Sequence, residues 1–325
     1  MAVDLDTLEV LTEQGIEWTI LTASQVRGVL RGAGPYWINL PSGKRFKVFV
    51  RDEALSNDIA FNLGHFGGAG RWSREVLVPR RRDAGRLTLI ATDGETFGHH
   101  WPGEEQFLYW LLKYEANAAG YEVTSLARYA EAVEPIGEVE LVGNTAWSCN
   151  HGLARWVTGC TCTPGESRWK GAVRRALDNV RFELDAIYRD YVEGIGDVDP
   201  LALRNAYIEV VLGTVTPDKF LETQGVTLGG DKAASLLKLV EAQFYRQRMY
   251  ASCTFFFADL TALTTIYGIA NAAYAVRLTK EATGTDCAGD FRRDLSIATE
   301  RDEQTGDLIT GADLYDEIVG VFNSA

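Results

Sequence analysis

Hydrophobic and polar positions along this chain follow two regimes. In the first part short alternating runs predominate. Asp6 to Gln14 reads as a helix closed by Gly15, Glu17 to Leu21 as a short buried strand, and Ala23 to Leu30 as a second helix. Tyr36 to Leu40 and Arg45 to Val50 flank Pro41-Ser42-Gly43-Lys44, a hairpin signal with turn chemistry in the loop. Asp58 to Leu63 predicts a helical turn, Gly64 to Gly70 a flexible glycine-rich loop, Arg80 to Asp83 a solvated basic patch, and Leu87 to Thr92 a buried strand. From about Gly103 the period becomes helical. Helices are predicted at 104–119, 125–133, 169–192, 201–212, 231–249, 261–278 and 311–322; Ala233, Leu236, Leu237, Val240 and Phe244 mark one apolar stripe. The pattern therefore predicts an α/β part over 1–102 and a mainly α-helical domain over 103–325, with neither internal repeats nor low-complexity segments.

Composition narrows the function. A chain of 325 residues with 46% hydrophobic and 24% charged content has the make-up of a globular protein with a large core. Its formal charge of −13 argues against a nucleic-acid partner, which needs a basic face. No apolar run approaches the roughly 20 residues that span a bilayer, so no membrane association is expected. Met1 to Asp6 lacks the basic start and apolar core of a signal peptide. Five cysteines, an odd and modest number, do not suggest a disulfide framework. A cytoplasmic, reducing location is expected.

Three clusters carry candidate chemistry. The run from Leu87 ends in Asp93-Gly94-Glu95-Thr96-Phe97-Gly98-His99-His100-Trp101. A buried strand ending in two carboxylates and two histidines would deliver them to the carboxyl edge of a sheet, where α/β enzymes hold their sites. The alternative is a strand-ending Asp-Gly turn. The second cluster is Trp147-Ser148-Cys149-Asn150-His151, followed by Arg155-Trp156 and Cys160-Thr161-Cys162. Cys149, His151, Cys160 and Cys162 suit a tetrahedral structural zinc in number and kind, although one residue rather than two separates the paired ligands. Two other readings stay open: small thiols packed beneath Trp147 and Trp156, or a substrate groove lined by Trp147, His151 and Trp156. In the third cluster, Cys253 to Asp259, three consecutive phenylalanines cannot share one face, and Asp259 or Thr261 would cap the following helix. No Walker loop, dinucleotide fingerprint or Ser/His/Asp elbow is present, and Gly64 to Gly70 lacks the spacing of a phosphate loop.

Taken in order, Ala2 to Leu11, Arg51 to Ser56, Asp93 to His100 and Trp147 to Gly152 resemble glycoside hydrolase family 57, in the subgroup with a long helical extension of unknown function. Cys253 to Asp259 is similar to a later segment of that subgroup, with Ala258 and Thr264 where acidic residues are expected. The resemblance implies the carboxyl-terminal part of an incomplete (β/α)7 barrel, an α-helical domain beside it, and retaining chemistry on α-glycosidic bonds without a required cofactor. It makes Asp93 the general acid/base and places Glu95, His99 and His100 around the sugar; from their own positions Trp101, Trp147, His151 and Trp156 are expected as further contacts. Retention by two carboxylates needs a nucleophile about 5 Å from the acid/base. In the family that nucleophile is a glutamate on an earlier strand, ahead of the stretch matched here, as is an early histidine-rich motif. The implied function is thus the carboxyl-terminal component of a retaining glycosidase or transglycosidase on an α-glycan or oligosaccharide, inactive alone. Its expected partner is a polypeptide bearing the amino-terminal half or a second copy of the chain. The alternative is a non-catalytic glucan-binding or assembly protein derived from the same fold. A self-sufficient hydrolase pairing Asp93 with Glu95 or Asp52 ranks last, because residues two apart cannot flank a sugar ring.

Overall fold

A computed structural model describes residues 3–81, 87–302 and 305–324. Ala2, and Arg82 and Asp83 of the expected basic patch, lie outside them. The chain forms two compact units, Met1–Gly152 and Leu153–Ala325.

The first unit is built on a three-stranded sheet. Helix α1 (Leu5–Glu13) starts at Asp4, whose carboxylate accepts from the Thr7 amide at 2.7 Å, and buries Leu8. Gly15, at φ +75°, turns the chain into β1 (Trp18–Leu21). β1 runs parallel to β4 (Arg45–Val50), pairing Trp18 with Lys47 and Leu21 with Val50. β3 (Tyr36–Asn39) pairs antiparallel with β4 through the expected hairpin, whose Gly43 sits at φ +81°. Strand alternation divides β4 between two apolar layers. Phe46, Val48 and Val50 meet Leu8, Leu21 and Ile38 on one face, and Phe49 meets Leu89 and Ala130 on the other.

Three expectations are corrected here. Ala23 to Leu30 is not a helix. A single 3-10 turn, Ala23–Gln25, is fastened by the Gln25 amide oxygen on the Thr22 amide at 3.1 Å, and β2 (Val26–Arg27) then pairs with β5 (Glu140–Leu141). Tertiary pairing overrides a helix-permissive composition. Leu87 to Thr92 joins no ladder. Its polar backbone is satisfied singly instead: the Asp52 amide donates to the Leu89 carbonyl at 2.8 Å, and the Ala91 amide donates to Ser56 Oγ at 3.1 Å. Leu89 still reaches the core against Phe49, which accounts for the apolar pattern. The unit boundary also falls well beyond 102. A continuous helical stretch from Glu105 to Ala118, with a π-turn at Leu111–Glu115, places Phe107 and Leu111 against Leu55, Ile59 and Trp72 of the first unit.

The second unit is mainly helical, as expected. Helices Trp169–Glu193, Gly230–Arg248 and Leu263–Thr283 pack with Ala288–Leu295 and Gly311–Ser324. Val173, Leu177, Ile269, Val276, Phe291 and Leu314 lie in their shared core. At Gly268 a Cβ would come within 2.3 Å of the Thr254 side chain, so the helix can approach that turn only with glycine there. The expected helix 201–212 is broken at Tyr207 into Pro200–Ala206 and Ile208–Val211. The hairpin Thr299–Arg301 with Leu308–Thr310 was not apparent from the sequence. Of the three phenylalanines Phe255 is buried and Phe257 exposed, while Asp259 Oδ1 accepts from the Thr261 amide ahead of the helix starting at Leu263. No helix among the described residues is long and apolar enough to cross a membrane.

Candidate functional site

Because β1 and β4 are parallel, their carboxyl ends lie side by side, and the residues just beyond them converge. The Arg51 amide donates to the Leu21 carbonyl at 2.9 Å, and Thr22 Oγ1 lies 3.4 Å from Glu53 Oε2. The Arg51 side chain is buried. Its guanidinium lies 4.6 Å from the centroid of the Trp147 ring, and Nη1 donates to the Ala91 carbonyl at 3.2 Å. Burial lowers the pKa of this guanidinium, while the carboxylates of Glu53 and Asp93 act to raise it. Arginine stays charged in either case, so the site holds one fixed cation facing two carboxylates. The segment 87–92 thus carries Asp93 to the carboxyl edge without forming a strand.

Asp52, adjacent to Glu53, has a different task. It caps helix α2 (Glu53–Asn62), accepting from the Leu55 amide at 2.9 Å, and pairs with Arg80 at 3.2 Å. An Asp52→Ala substitution should lower stability by about 1 kcal/mol, with most of the loss restored by Asn, which caps equally well. Urea denaturation of the two variants checks this. Equal losses would show that the ion pair, not the cap, matters.

A tight turn shapes the 93–101 loop. The Thr96 amide donates to the Asp93 carbonyl, both the His99 and His100 amides donate to the Glu95 carbonyl, and the Trp101 amide donates to the Thr96 carbonyl. Thr96 is buried, so the turn exposes Asp93, Glu95, His99 and His100 together. The two imidazoles lie 5.5 Å apart, centroid to centroid. Trp101 is half-buried and braces the turn. Its Nε1 donates to the Ala60 carbonyl at 3.0 Å, and its ring sits where a Gly64 Cβ would lie, only 2.9 Å away.

The residues of the expected aromatic groove are each described within their own unit. Trp147 stacks on Arg51 in the first unit, whereas Trp156 packs near Phe256, at 6.4 Å, within the second. Of the candidate zinc ligands Cys149 is buried, Cys160 and Cys162 are half-buried and His151 is exposed. The loop bearing them is held by glycines: Gly152 at φ +70°, where a Cβ would lie 2.6 Å from the Asn144 carbonyl, and Gly159 at φ +88°, where it would lie 2.2 Å from that of Ser167.

Sequence reasoning had not assigned Arg51, Glu53 or Thr22 to the site. The available signal was their place directly after two strand patterns, the criterion that singled out Asp93.

Residues 1–142 match glycosyl hydrolase family 57. The amino-terminal part is therefore similar to that family. Residues 166–322 match a domain of unknown function, DUF3536, which fits the expected helical extension. An exo-type maltose-forming amylase from Pyrococcus sp. ST04 is similar in structure, with a TM-score of 0.68 over 90% of this chain at 14% identity. The chain spans 57% of that amylase's length, and at this identity the likeness establishes a shared mixed α/β, largely helical fold. A 4-alpha-glucanotransferase from Thermococcus litoralis matches at a TM-score of 0.44 and 14% identity, over 85% of this chain and 41% of that one. No curated protein matches the chain.

Proposed function

We propose that this chain contributes the general acid/base half of a retaining active site for α-glycosidic bonds, with β1 and β4 as strands of a family 57 barrel. The observation that carries the reading is the exposure of Asp93, with Glu95, His99 and His100, beside Arg51 at the carboxyl edge of the parallel pair. The Asp93 carboxyl donates its proton to the glycosidic oxygen as the bond to C1 breaks and a nucleophilic carboxylate bonds to C1. The Asp93 carboxylate then takes a proton from the water, or from a sugar hydroxyl, that displaces the nucleophile. Glu95, His99 and His100 orient the sugar through hydrogen bonds, and Trp147 offers a ring face. The substrate is an α-glucan, in keeping with the amylase and glucanotransferase neighbours.

The nucleophile is proposed to come from a further polypeptide segment. Asp52 is engaged as a helix cap, and Glu95 is too close along the backbone to stand across the ring from Asp93. The test is hydrolysis of an aryl α-glucoside and a malto-oligosaccharide by this chain alone and by the chain supplied with the nucleophile-bearing barrel strands of a family 57 enzyme. Activity should require the added strands. Binding of α-glucan without turnover in either form would favour a non-catalytic binding protein, and full turnover by the chain alone would overturn the division of the site.

A further inference from the structure

We propose that a cavity in the second unit binds the phosphate group of a small phosphorylated molecule, held by the guanidinium groups of Arg189 and Arg204. The cavity has a volume of about 230 Å³. Asp185, Tyr188 and Arg189 line it from the helix Trp169–Glu193, Arg204 from the helix Pro200–Ala206, and Gln243 from the helix Gly230–Arg248. Tyr188 Oη donates to the Pro200 carbonyl at 2.8 Å. That bond fastens the start of the short helix to the long one and sets the half-buried Arg204, one turn on, beside the cavity. The site owes nothing to the Asp93 loop, since all its residues belong to the second unit.

Cations without a partner mark this cavity in an acidic chain. Carboxylates outnumber basic side chains by 45 to 32 in the sequence, and within this unit Arg174, Arg277 and Arg292 each meet one within 3.3 Å. Among the described residues Arg189 forms no ion pair, and the Arg204 guanidinium bonds only the amide oxygen of its neighbour Asn205, at 3.2 Å. Asp185 stands one turn before Arg189, the spacing at which the two would ordinarily pair. It is held instead by Arg246, in a largely buried ion pair. Asp199, on the turn ahead of the short helix, is engaged by the Leu201 and Ala202 amides. The two guanidinium groups are thus left to a ligand. Gln243 is 2% exposed; its Nε2 donates to the Leu184 carbonyl at 3.3 Å, and the second hydrogen of that group remains for an acceptor. A phosphate monoester carries about −1.5 to −2 charges at neutral pH and three acceptor oxygens, which suits two guanidinium forks and one amide. The volume limits the rest of the ligand. It falls below the roughly 300 Å³ at which sites for drug-sized ligands begin, which excludes an oligosaccharide and leaves room for a single ring at most.

Glucose 6-phosphate and inorganic phosphate are the probes, titrated into the full chain by calorimetry at low ionic strength, with glucose as the uncharged control. Both anions should bind saturably at a single site, glucose should not, and added salt should weaken the binding. Tighter binding of glucose 6-phosphate supports the site with an ester as its ligand, and equal affinities support it with free phosphate. Arg189→Gln and Arg204→Gln should each weaken binding by about tenfold or more, the usual loss with a hydrogen bond to a charged group. Arg175→Gln, on the same long helix but outside the cavity, should leave binding unchanged. The wild-type titration needs no variant, so poor folding of either arginine variant would not spare the proposal. Absence of saturable binding of both anions by natively folded wild-type chain would overturn it. So would equal binding by the chain carrying both glutamine substitutions.

Discussion

Asp93→Asn should lower turnover of an α-glucan by about 10²–10⁴-fold in the completed enzyme, the usual contribution of a positioned acid/base. Asparagine keeps the size and can preserve the turn, because the turn uses the Asp93 backbone carbonyl, to which the Thr96 amide donates. The substitution therefore removes the proton donor with little disturbance of the fold. An aryl glycoside whose leaving group needs no proton should lose much less in the first step than an oligosaccharide does. The loss should fall on kcat, since Glu95, His99 and His100, proposed above to bind the sugar, remain. Steady-state kinetics with both substrates checks the split. A similar loss with both, or a change confined to KM, would assign Asp93 to binding instead.

Trp72→Ala should be the most damaging single core change in the first unit, costing about 3–5 kcal/mol. Trp72 is fully buried and meets Phe107 edge to face at 5.8 Å. The same cluster contains Leu55 and Ile59 from helix α2 and Leu111 from the 105–118 stretch, and Phe97 of the Asp93 loop packs on it. Emptying its centre would loosen the support beneath the loop as well as the helices. Trp72→Phe should cost far less, because the buried indole nitrogen makes no hydrogen bond among the described residues and phenylalanine retains the ring contact. Urea unfolding of the two variants measures the difference, and losses below about 1 kcal/mol for alanine would contradict this role.

Local signals carried much of this architecture, and tertiary ones the rest. The hairpin between Tyr36 and Val50 was readable because period-two alternation met strong turn chemistry at Pro41 to Lys44. The long helices of the second unit announced themselves by apolar stripes. Leu87 to Thr92 misled because an apolar run says that a segment is buried, not that it pairs; Leu89 reaches Phe49 while its carbonyl is claimed by Asp52. The unit boundary was misplaced for a related reason. Periodicity shows that Phe107 and Leu111 need an apolar partner but not that the partner is Trp72. Within the site the residue types were legible and their division of labour was not. Nothing in the string Asp93 to Trp101 shows that a turn will expose the two histidines and fold Trp101 back over Gly64. The role of Arg51 depends on two strand ends meeting, which no local pattern encodes.

The assignment of Asp93 as acid/base is tested most directly by chemical rescue. Asp93→Ala in the completed enzyme, given an activated aryl α-glucoside and sodium azide, should recover turnover and release an α-glucosyl azide. Azide is already an anion and needs no base to attack the glycosyl-enzyme, and a second displacement retains the configuration. Rescue with the retained product is the predicted result. No rescue, or a β-glucosyl azide, would contradict the assignment.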